Sequence, residues 1–516
     1  MTKKSRGLVT LVAAVAAATV LAGCAGGGGG GVAASPSASE WDGAAIPSAV
    51  ISLAAQTASF DPTATVSATD RAVSALMNTS LFVVTADGET EPGLAESVTY
   101  SDDFTSATVT LRDAKFSDGS PITAEDVAAT INRHKAVEGS RIASTTNRIS
   151  TVTATDESTV EFTFPSPYPS FEGQAGLLAI FPASAMADAD TYFQAPTVTS
   201  GQYTIEEGWA SSKLELTASP NFWGEAPAVE QVTFEIIPDG NSALSQLQSG
   251  QVDFAGDLAP NFITQVAGDA GPQVLMTDVY GFFDLRLQNT RGPFADADVR
   301  KAVNAAIDRE AIVSSIWGEY NTPQSGFWPA GTDAYDDSKP VAQDLDAAKE
   351  FLKGTECESG CTVDMVYSDQ DFAFSGQLAL MVQQQLEEIG MTVELEKVDG
   401  ATLVDRLFAA DYDIVPGAMA SASNTPDQLM ANALLGTGPL KSEFTGYNSE
   451  EMNQLIAQVN ATTGAERLEA QAAVEEQFSE DQPFVTLAPW VRGSVSTLPD
   501  GVFTLVQSMA RMESQN

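Results

Sequence analysis

One segment of the chain groups small polar side chains in a way that could bind a solute. From 412 to 427 it reads YDIVPGAMASASNTPD, so an apolar run passes into serine and asparagine, as a strand passes into a loop. Loops at strand ends carry the sites of α/β folds, and these side chains can hydrogen-bond a ligand. The candidates are Met419, as a wall, and Ser421, Ser423, Asn424 and Asp427. The last could equally be an exposed cap of the next helix.

Residues of the common catalytic sites are scarce. No G-x-S-x-G sequence occurs, which excludes a nucleophile elbow of that type. The single histidine, His134, cannot form an H-E-x-x-H zinc site, and its polar helical surroundings, INRHK, predict a surface residue. No G-x-x-x-x-G-K loop occurs, so an ATP site of that type is unsupported. Carboxylates are numerous enough to leave a glycosidase pair open by count alone. We predict a protein that is not an enzyme and needs no cofactor.

The composition indicates a large, acidic, globular protein. The 516 residues include 25 lysine and arginine and 69 aspartate and glutamate, for a formal net charge of −44, and 43% are apolar. This length is too great for one core, so two or three lobes are expected. Nucleic acid is an unsuitable partner, because phosphate binding needs clustered lysine and arginine. A solvated acidic surface that keeps the protein soluble is the simpler explanation of the charge.

The N-terminus has the features of an export signal. A basic start, KKSR, precedes an apolar stretch over 7–21 that is too short to cross a bilayer as a helix. The sequence LAGC, which ends at Cys24, resembles the lipobox of bacterial lipoproteins, in which the cysteine is lipidated. An ordinary secretory signal is the alternative. We predict a signal peptide over 1–23, a glycine-rich tether over 24–47, and a lipid anchor on the outer face of the bacterial cell membrane.

Two further cysteines, Cys357 and Cys361, lie in the sequence ECESGC. In an exported protein such a pair predicts a disulfide, and the Glu-Ser-Gly spacer can form a turn. Two free thiols or half of a metal site are the alternatives. A zinc site is disfavoured, because the chain has no second cysteine pair and one histidine.

Hydrophobic periodicity divides the chain into two halves. Up to about 285, alternating apolar residues predict half-buried strands at Thr108–Arg112, Val160–Phe164 and Val232–Ile236. Beyond it, helices at Asp346–Lys353, Ser375–Ile389 and Ala401–Ala409 alternate with strands at Thr362–Tyr367, Thr392–Val398 and Tyr412–Val415. Asp298, Asp308 and Asn448 are the expected caps of three further helices. The alternation predicts a mainly parallel, doubly wound sheet in the second half.

A series of sequence blocks resembles family 5 of the extracellular solute-binding proteins, the peptide- and nickel-type receptors of ABC importers. The first block is EPGLAESVTYSDDFTSATVTLRDAKFSDGSPITAEDVAATINRHK. In family order there follow SGQYTI with PNFWGEAP, LQSGQVDF, PFADADVRKAVNAAIDREAI, QLEEIGMTVEL and YNSEEMNQLI. The resemblance covers about residues 48–510. It implies that the strand and the SDGSP turn of the first block are scaffold and hold no site.

The resemblance implies an α/β, two-lobed fold of the type II periplasmic binding proteins, with an extra β-rich subdomain inserted in the first lobe. We place the first lobe at 48–72, 196–276 and 486–516, the inserted subdomain at 73–195, and the second, α/β lobe at 277–485.

The implied function is capture of a solute, most readily a peptide, between closing lobes for delivery to an ABC permease with a separate ATPase. A sugar, another small polar metabolite or a chelated metal is the alternative ligand. A secreted hydrolase is a remote alternative, and a structural or chaperone-like surface lipoprotein is another. A monomer is expected.

Peptide-binding members of the family carry an aspartate four residues before the proline of the segment at 412–427, where it pairs with the α-amino group of the peptide. This chain has Ala422 there. Burying an ammonium group without a partner is costly, so recognition of a free peptide N-terminus by the usual route is in doubt. Asp427 could take that role if the loop is shifted.

The family's cleft points to further candidates, each with a structural alternative. They are Phe60, Trp328, Tyr367, Asp369, Trp490 and Arg492. Near the return crossing between lobes, Trp490 could stack on a ligand and Arg492 could bind a carboxylate, or they could only pack the hinge and form a surface ion pair. Phe60 and Trp328 could line the cleft or fill the cores. Tyr367 and Asp369 follow a predicted strand end and could face the ligand.

Overall fold

The computed structural model describes most of the chain from residue 42 onward. Outside the described residues lie Cys24, the predicted signal peptide and most of the tether, and also Ala422, Ser423 and Asn424. Within the described part, no helix has the length and apolarity that a membrane crossing requires. The described residues are 42–57, 59–64, 68–84, 90–140, 142–210, 212–258, 262–263, 266, 272–369, 372–421, 425–435, 445–506 and 509–512.

The strands are numbered in chain order. They are β1 (Ile46–Leu53), β2 (Phe82–Val84), β3 (Thr90–Pro92), β4 (Ala95–Tyr100), β5 (Ser106–Leu111), β6 (Thr151–Ala154), β7 (Thr159–Thr163), β8 (Tyr203–Ala210), β9 (Lys213–Ala218), β10 (Val229–Ile236), β11 (Phe254–Leu258), β12 (Gln273–Leu287), β13 (Cys361–Tyr367), β14 (Met391–Lys397), β15 (Ile414–Ala420), β16 (Phe484–Ser496), β17 (Phe503–Val506) and β18 (Met509–Met512).

The α-helices are numbered in the same way, and 3₁₀ turns occur at Pro293–Ala295 and Gly318–Tyr320. The helices are α1 (Ala68–Met77), α2 (Ala124–Ala136), α3 (Ala143–Thr146), α4 (Phe171–Ala175), α5 (Ala183–Met186), α6 (Ala189–Tyr192), α7 (Gly240–Gln248), α8 (Ala297–Ala306), α9 (Arg309–Ile316), α10 (Leu345–Phe351), α11 (Ser375–Glu387), α12 (Gly400–Phe408), α13 (Pro426–Ala433), α14 (Glu450–Ala461) and α15 (Gly464–Asp481).

The largest sheet of the described residues has ten strands in the order β14-β13-β15-β12-β16-β11-β1-β10-β9-β8. We call the side with β1 and β8–β11 the first lobe, and the side with β13–β15 the second lobe. The pairs of β1 with β10 and β11, and of β13 with β14 and β15, are parallel. The two crossing strands, β12 and β16, are antiparallel neighbours, because one leads into the second lobe and the other returns. The mainly parallel sheet predicted for the second half is therefore found only in β13–β15.

A four-stranded antiparallel sheet, in the order β4-β5-β7-β6, has a hydrophobic core of its own. With α2, α3 and α4 we call it the β-subdomain. The strands predicted at 108–112 and 160–164 correspond to β5 and β7. The predicted turn is present: Gly119 has a φ of 86°, and the backbone N–H of Ser120 donates to Asp118 Oδ1 at 2.9 Å. The strand and the turn of the first sequence block are thus present, and its role as scaffold stays a prediction.

The sheet of the second lobe is covered on both faces. Neighbouring residues of β12 face opposite sides, as a strand's period of two requires. Phe283 packs into a core that includes residues of α8, α9 and α11, and Phe282 packs into a core that includes residues of α13, α14 and α15. Burial on both faces explains the apolar runs of these strands.

One of the three predicted helix caps is confirmed. Asp308 accepts from the backbone N–H of Ala311 at 3.0 Å. The prediction of Asp298 is wrong, because Asp296 two residues earlier caps α8. The prediction of Asn448 is also wrong, because the Ser449 hydroxyl accepts from Met452 at 3.2 Å. In both cases an equally good capping side chain stood one or two positions away, so propensity alone could not decide.

Cys357 and Cys361 form the predicted disulfide, with their Cα atoms 4.9 Å apart. The bond joins the turn after α10 to the first residue of β13. Cys357 is buried in the second-lobe core that contains Phe283. Its place in the core indicates a local structural role.

Candidate functional site

A cavity of 470 Å³ lies where the two lobes meet, beside the crossing strands. The first lobe contributes Ser52, at the end of β1, and Phe262. The second lobe contributes Trp317 and Phe374, and the crossing strands form the floor between them. Strand ends and lobe junctions are where α/β proteins bind small molecules. A molecule in this cavity would touch both lobes at once.

Trp490 and Arg492 lie on this cavity. They are two residues apart on β16, so both side chains project from the same face of the strand. The guanidinium carbon of Arg492 is 5.2 Å from the centre of the Trp490 ring, within the range of a cation–π contact. The Trp490 ring also packs 6.0 Å from Phe283 and 6.3 Å from Phe372. The arrangement offers an aromatic wall with a cation beside it.

Asp369 also lines the cavity, from the loop that follows β13. Its carboxylate accepts from Lys397 Nζ at 2.6 Å and from the backbone N–H of Gly376 at 2.9 Å. The hydrogen bond from Lys397 lowers the pKa of Asp369 below its usual value, although burial opposes this. Asp369 is therefore an anion that is already paired. Its neighbour Tyr367 is half-buried against the second-lobe core and is not part of the cavity wall.

Two glycines allow the cavity walls to approach closely. A Cβ atom on Gly240 would lie 2.6 Å from the Phe262 ring, and one on Gly493 would lie 2.7 Å from the Ile263 side chain. Neither distance occurs between real atoms without movement. Larger residues at these positions would change the shape of the cavity.

A second group of candidate residues lies at the start of α13, in a polar bridge between the β-subdomain and the second lobe. Asp427 is 2% exposed; its Oδ1 lies 3.5 Å from Arg148 Nη1 and its Oδ2 lies 2.7 Å from Arg467 Nη2. Gln174 Nε2 donates to Thr425 Oγ1 at 2.6 Å. We call these five residues the polar bridge. Asp427 is therefore not an exposed cap, and two guanidinium groups already lie beside its carboxylate; the role of amine partner stays a prediction.

Ser421 lies beside the polar bridge and is 1% exposed. Its backbone N–H donates to the carbonyl oxygen of Tyr280, and its hydroxyl accepts from the backbone N–H of Thr425 at 3.0 Å. It therefore orders the chain at both ends of the loop 422–424. Ser423 and Asn424 belong to that loop and lie outside the described residues, so they stay predictions.

Three other candidates are packed in hydrophobic cores. Phe60 is buried in the core of the first lobe. Trp328 has no exposed surface, and its indole N–H donates to the carbonyl oxygen of Gln471 at 2.9 Å. Met419 is buried in the same core as Trp328. None of the three lines the cavity, so Phe60 and Trp328 match their structural alternatives, and Met419 is not part of the cavity wall.

The cavity wall also contains aromatic residues that were not candidates from the sequence, among them Trp317, Phe372 and Phe374. The rings of the two phenylalanines stack 5.4 Å apart, and Phe374 packs edge-on to Trp317 at 5.0 Å. The sequence DFAF directly after a predicted strand end was the available signal. Within the described residues, no cluster of three or more histidine, cysteine or carboxylate side chains could hold a metal ion.

Comparisons with known proteins agree with this architecture. The family model "Bacterial extracellular solute-binding proteins, family 5 Middle" matches residues 89–440. The probable D,D-dipeptide-binding periplasmic protein DdpA of Escherichia coli K12 is 29% identical over 429 residues, which are 80% of this chain and 83% of that protein. The periplasmic oligopeptide-binding protein OppA of the same strain is 24% identical over 476 residues, 82% and 85% of the two chains.

A solved structure shows the same fold. The periplasmic binding protein AgaA of A. tumefaciens R10, in complex with agropinic acid, superimposes with a TM-score of 0.77 and 24% identity over 91% of this chain and 99% of that one. The agreement confirms the predicted α/β, two-lobed fold with its inserted β-rich subdomain. The residue bounds of the predicted lobes stay a prediction.

Proposed function

The chain belongs to the bacterial extracellular solute-binding proteins of family 5, which are the non-enzymatic binding components of ABC importers. From this premise we propose that its solute is a short peptide or peptide-like acid bound in the cavity between the lobes. The cavity wall formed by Trp490, Arg492 and the aromatic residues of the second lobe carries this proposal.

The size and position of the cavity favour a small ligand. Its 470 Å³ falls in the range of about 300–1,000 Å³ typical of small-molecule sites. Both lobes contribute to its walls, so a bound solute adds contacts only when the lobes are together. A ligand with such differential contacts shifts the population toward the closed form. This is what a permease needs in order to distinguish loaded from empty receptor.

The chemistry of the walls favours a carboxylic acid with an apolar part. Arginine forms paired, charge-assisted hydrogen bonds with carboxylates, so Arg492 suits a peptide C-terminus. Trp490 and Phe374 can cover an apolar or aromatic side chain. Asp369 can attract an ammonium group, but Lys397 at 2.6 Å already offsets its charge. The fork geometry of arginine makes the carboxylate end the better-defined part of the ligand.

The relatives favour a peptide as the ligand but do not identify it. DdpA is described as D,D-dipeptide-binding and OppA as oligopeptide-binding, whereas AgaA holds agropinic acid. A small non-peptide acid would meet Arg492 and the aromatic wall in the same way and is the second candidate. Sugars and metal chelates serve as comparison ligands in the test.

We place the protein outside the cytoplasm, anchored by a lipid on Cys24 and monomeric. The LAGC sequence and the glycine run after it support the anchor. The anchor would hold the receptor beside its permease, while the ATPase is a separate polypeptide.

The experiment that tests the proposal is binding measured by tryptophan fluorescence and by thermal unfolding. Pools of di- and tripeptides, N-acetylated peptides, C-amidated peptides, sugars and metal chelates are added to the chain from residue 36. A ligand at about a hundred times its dissociation constant stabilises the folded protein by roughly 2.7 kcal/mol. We expect free and N-acetylated peptides to bind and C-amidated peptides to bind about tenfold more weakly or worse, because amidation removes the partner of Arg492.

The variant Arg492→Gln should raise the dissociation constant of free peptides by about tenfold to a hundredfold and abolish the preference for a free carboxylate. Arg291→Gln is the matched control, because Arg291 is 44% exposed and lies beside Asp411 and Asp413. Equal binding of amidated and free peptides, or wild-type affinity in Arg492→Gln, would refute the assignment of the carboxylate site.

A further inference from the structure

The polar bridge joins two units that are distant along the chain. Arg148 and Asp427 are 279 residues apart. Arg148 lies in the β-subdomain, where its guanidinium carbon is 3.8 Å from the centre of the Tyr168 ring. Asp427 lies in the first turn of α13, in the second lobe. The two units are also connected through the first lobe and the crossing strands, so the bridge is a second connection between them.

On the second-lobe side of the bridge, contacts within the second lobe itself hold Asp427 in place. Arg467, on α15, binds the Asp427 carboxylate at 2.7 Å, and its Nη1 also donates to the carbonyl oxygen of Val459 at 3.1 Å. Both α13 and α15 belong to one hydrophobic core. The helix N-terminus adds a favourable interaction with the carboxylate. Asp427 therefore presents an oriented acceptor to Arg148.

The β-subdomain side is equally ordered. Gln174 is 3% exposed; its amide oxygen accepts from Thr145 Oγ1 at 3.1 Å, while its amide nitrogen donates to Thr425. Beside it the backbone of Gly173 comes so close to the Thr425 side chain that a Cβ on Gly173 would lie 2.9 Å from Thr425 Cγ2. The contacts of Gln174 across this surface are therefore polar and closely fitted.

We propose that the polar bridge is a latch that holds the lobes together and breaks when the cleft opens. Its groups are charged or strongly polar, and on opening each regains water, so separating the two sides costs less free energy than exposing an apolar contact of the same size would. A contact of this kind favours one arrangement of the lobes and can still be broken. The inference goes beyond the proposed function, because it requires the two-lobed fold and no particular solute.

The test measures the distance between lobes with no solute present. Cysteines replace Glu157, in the β-subdomain, and Glu469, on α15, both exposed, and spin labels on them report the distance. The compact unit Pro36–Asn516 is used, in which the two natural cysteines are bonded to each other. We expect one short distance in the wild-type background.

Two variants act on the latch by different routes. Asp427→Asn removes the charge that Arg148 and Arg467 share, and Gly173→Leu inserts a side chain at the closest approach. Each should lengthen the mean distance by several ångström and broaden its distribution. Asp405→Asn, at an exposed carboxylate on α12, is the matched control and should leave the distance unchanged.

The outcomes are separable. A distance unchanged by both variants would overturn the latch, and so would an effect of Gly173→Leu alone, because the charges would then play no part. If Asp427→Asn does not fold, Thr425→Val replaces it, since valine keeps the shape and removes the hydroxyl that accepts from Gln174. Solute binding is read in a different experiment, so failure of the proposed function and failure of the latch are distinguishable.

Discussion

His134 lies on the buried face of α2, three residues after Ile131. The prediction that it is a surface residue is wrong, because it gave more weight to the charged neighbours than to the helical spacing of the buried positions. The ring is edge-on to Phe181 at 6.1 Å, and among the described residues neither ring nitrogen has a hydrogen-bond partner. Burial, and then the charge of Arg133, lowers the pKa of His134 to about 4.

The variant His134→Leu should remove a pH dependence of stability. The unfolded chain binds a proton on this histidine near pH 6.5, and the folded chain binds it only near pH 4. Wild-type stability is therefore lost as the pH falls through this range. Leucine does not titrate, so from about pH 7.5 to about pH 5 the variant should gain on the order of 2 kcal/mol relative to wild type. Urea unfolding at the two pH values measures the difference.

Other groups titrate in the same range, but they cancel in this comparison. Burial raises the pKa of Asp413 to about 6, so the folded state holds that proton to a higher pH than the unfolded state. Its contribution has the opposite sign, since stability is lost as the pH rises. It is common to wild type and variant. Stability curves that stay parallel from neutral to acid pH would refute the assignment for His134.

Helices and strands that are bounded by glycines are predicted well from the sequence. A strand whose length depends on pairing with a distant strand is not. The predicted bounds of α11, β13 and β14 agree with the structure to within two residues, because glycines with positive φ, Gly360 and Gly390, punctuate them. β15 was predicted at 412–415 and extends over 414–420. Its residues PGAMA have no alternation, and it is a strand because β12 pairs with it along that length.

The same limit applies to the candidate site. A predicted strand end led to Asp369, and the expected return crossing between lobes led to Trp490 and Arg492; all three lie on the cavity. Phe60 and Trp328 are buried in cores instead, because a large aromatic residue leaves water equally well in a core or in a cleft, and spacing does not distinguish them. The pairing of Asp427 joins parts of the chain 279 residues apart, and no local pattern contains that information.

The disulfide should stabilise the second lobe without affecting the site. In the chain-entropy account, closing a loop of this length contributes about 2 kcal/mol, and Cys357 also packs in the core. The double variant Cys357→Ala, Cys361→Ala should therefore lower the free energy of unfolding by about 2–3 kcal/mol. Neither cysteine lines the cavity, so solute affinity should stay unchanged.

Urea unfolding and fluorescence titration of the double variant measure the two effects. Reduction of the wild type with dithiothreitol is the control, and it should reproduce most of the lost stability. A variant as stable as wild type would show that the bond forms without contributing to the fold, and a loss of affinity would show that its turn supports the cavity wall.

For the molecule as a whole, charge acts in two opposite ways. The formal net charge is −44, so the folded chain repels itself, and repulsion of this kind destabilises a compact state. The polar bridge, in contrast, is held by attraction between Asp427 and two arginines. The side chains of its two arginines are 24% and 16% exposed. Dissolved ions can therefore screen the attraction in the bridge as well as the repulsion of the whole chain.

Salt should therefore stabilise the fold and loosen the closed form at the same time. Screening shortens the range of charge interactions from about 30 Å at 0.01 M to about 3 Å at 1 M. Between these concentrations of potassium chloride we expect the unfolding midpoint to rise, because repulsion is screened, and the distance between labels at positions 157 and 469 to lengthen, because the attraction to Asp427 is screened. In Asp427→Asn the midpoint should still rise while the distance no longer responds to salt. If the wild-type distance stays fixed as salt increases, the bridge is not held by charge, and if the distance shortens, net repulsion between the lobes decides how far they open.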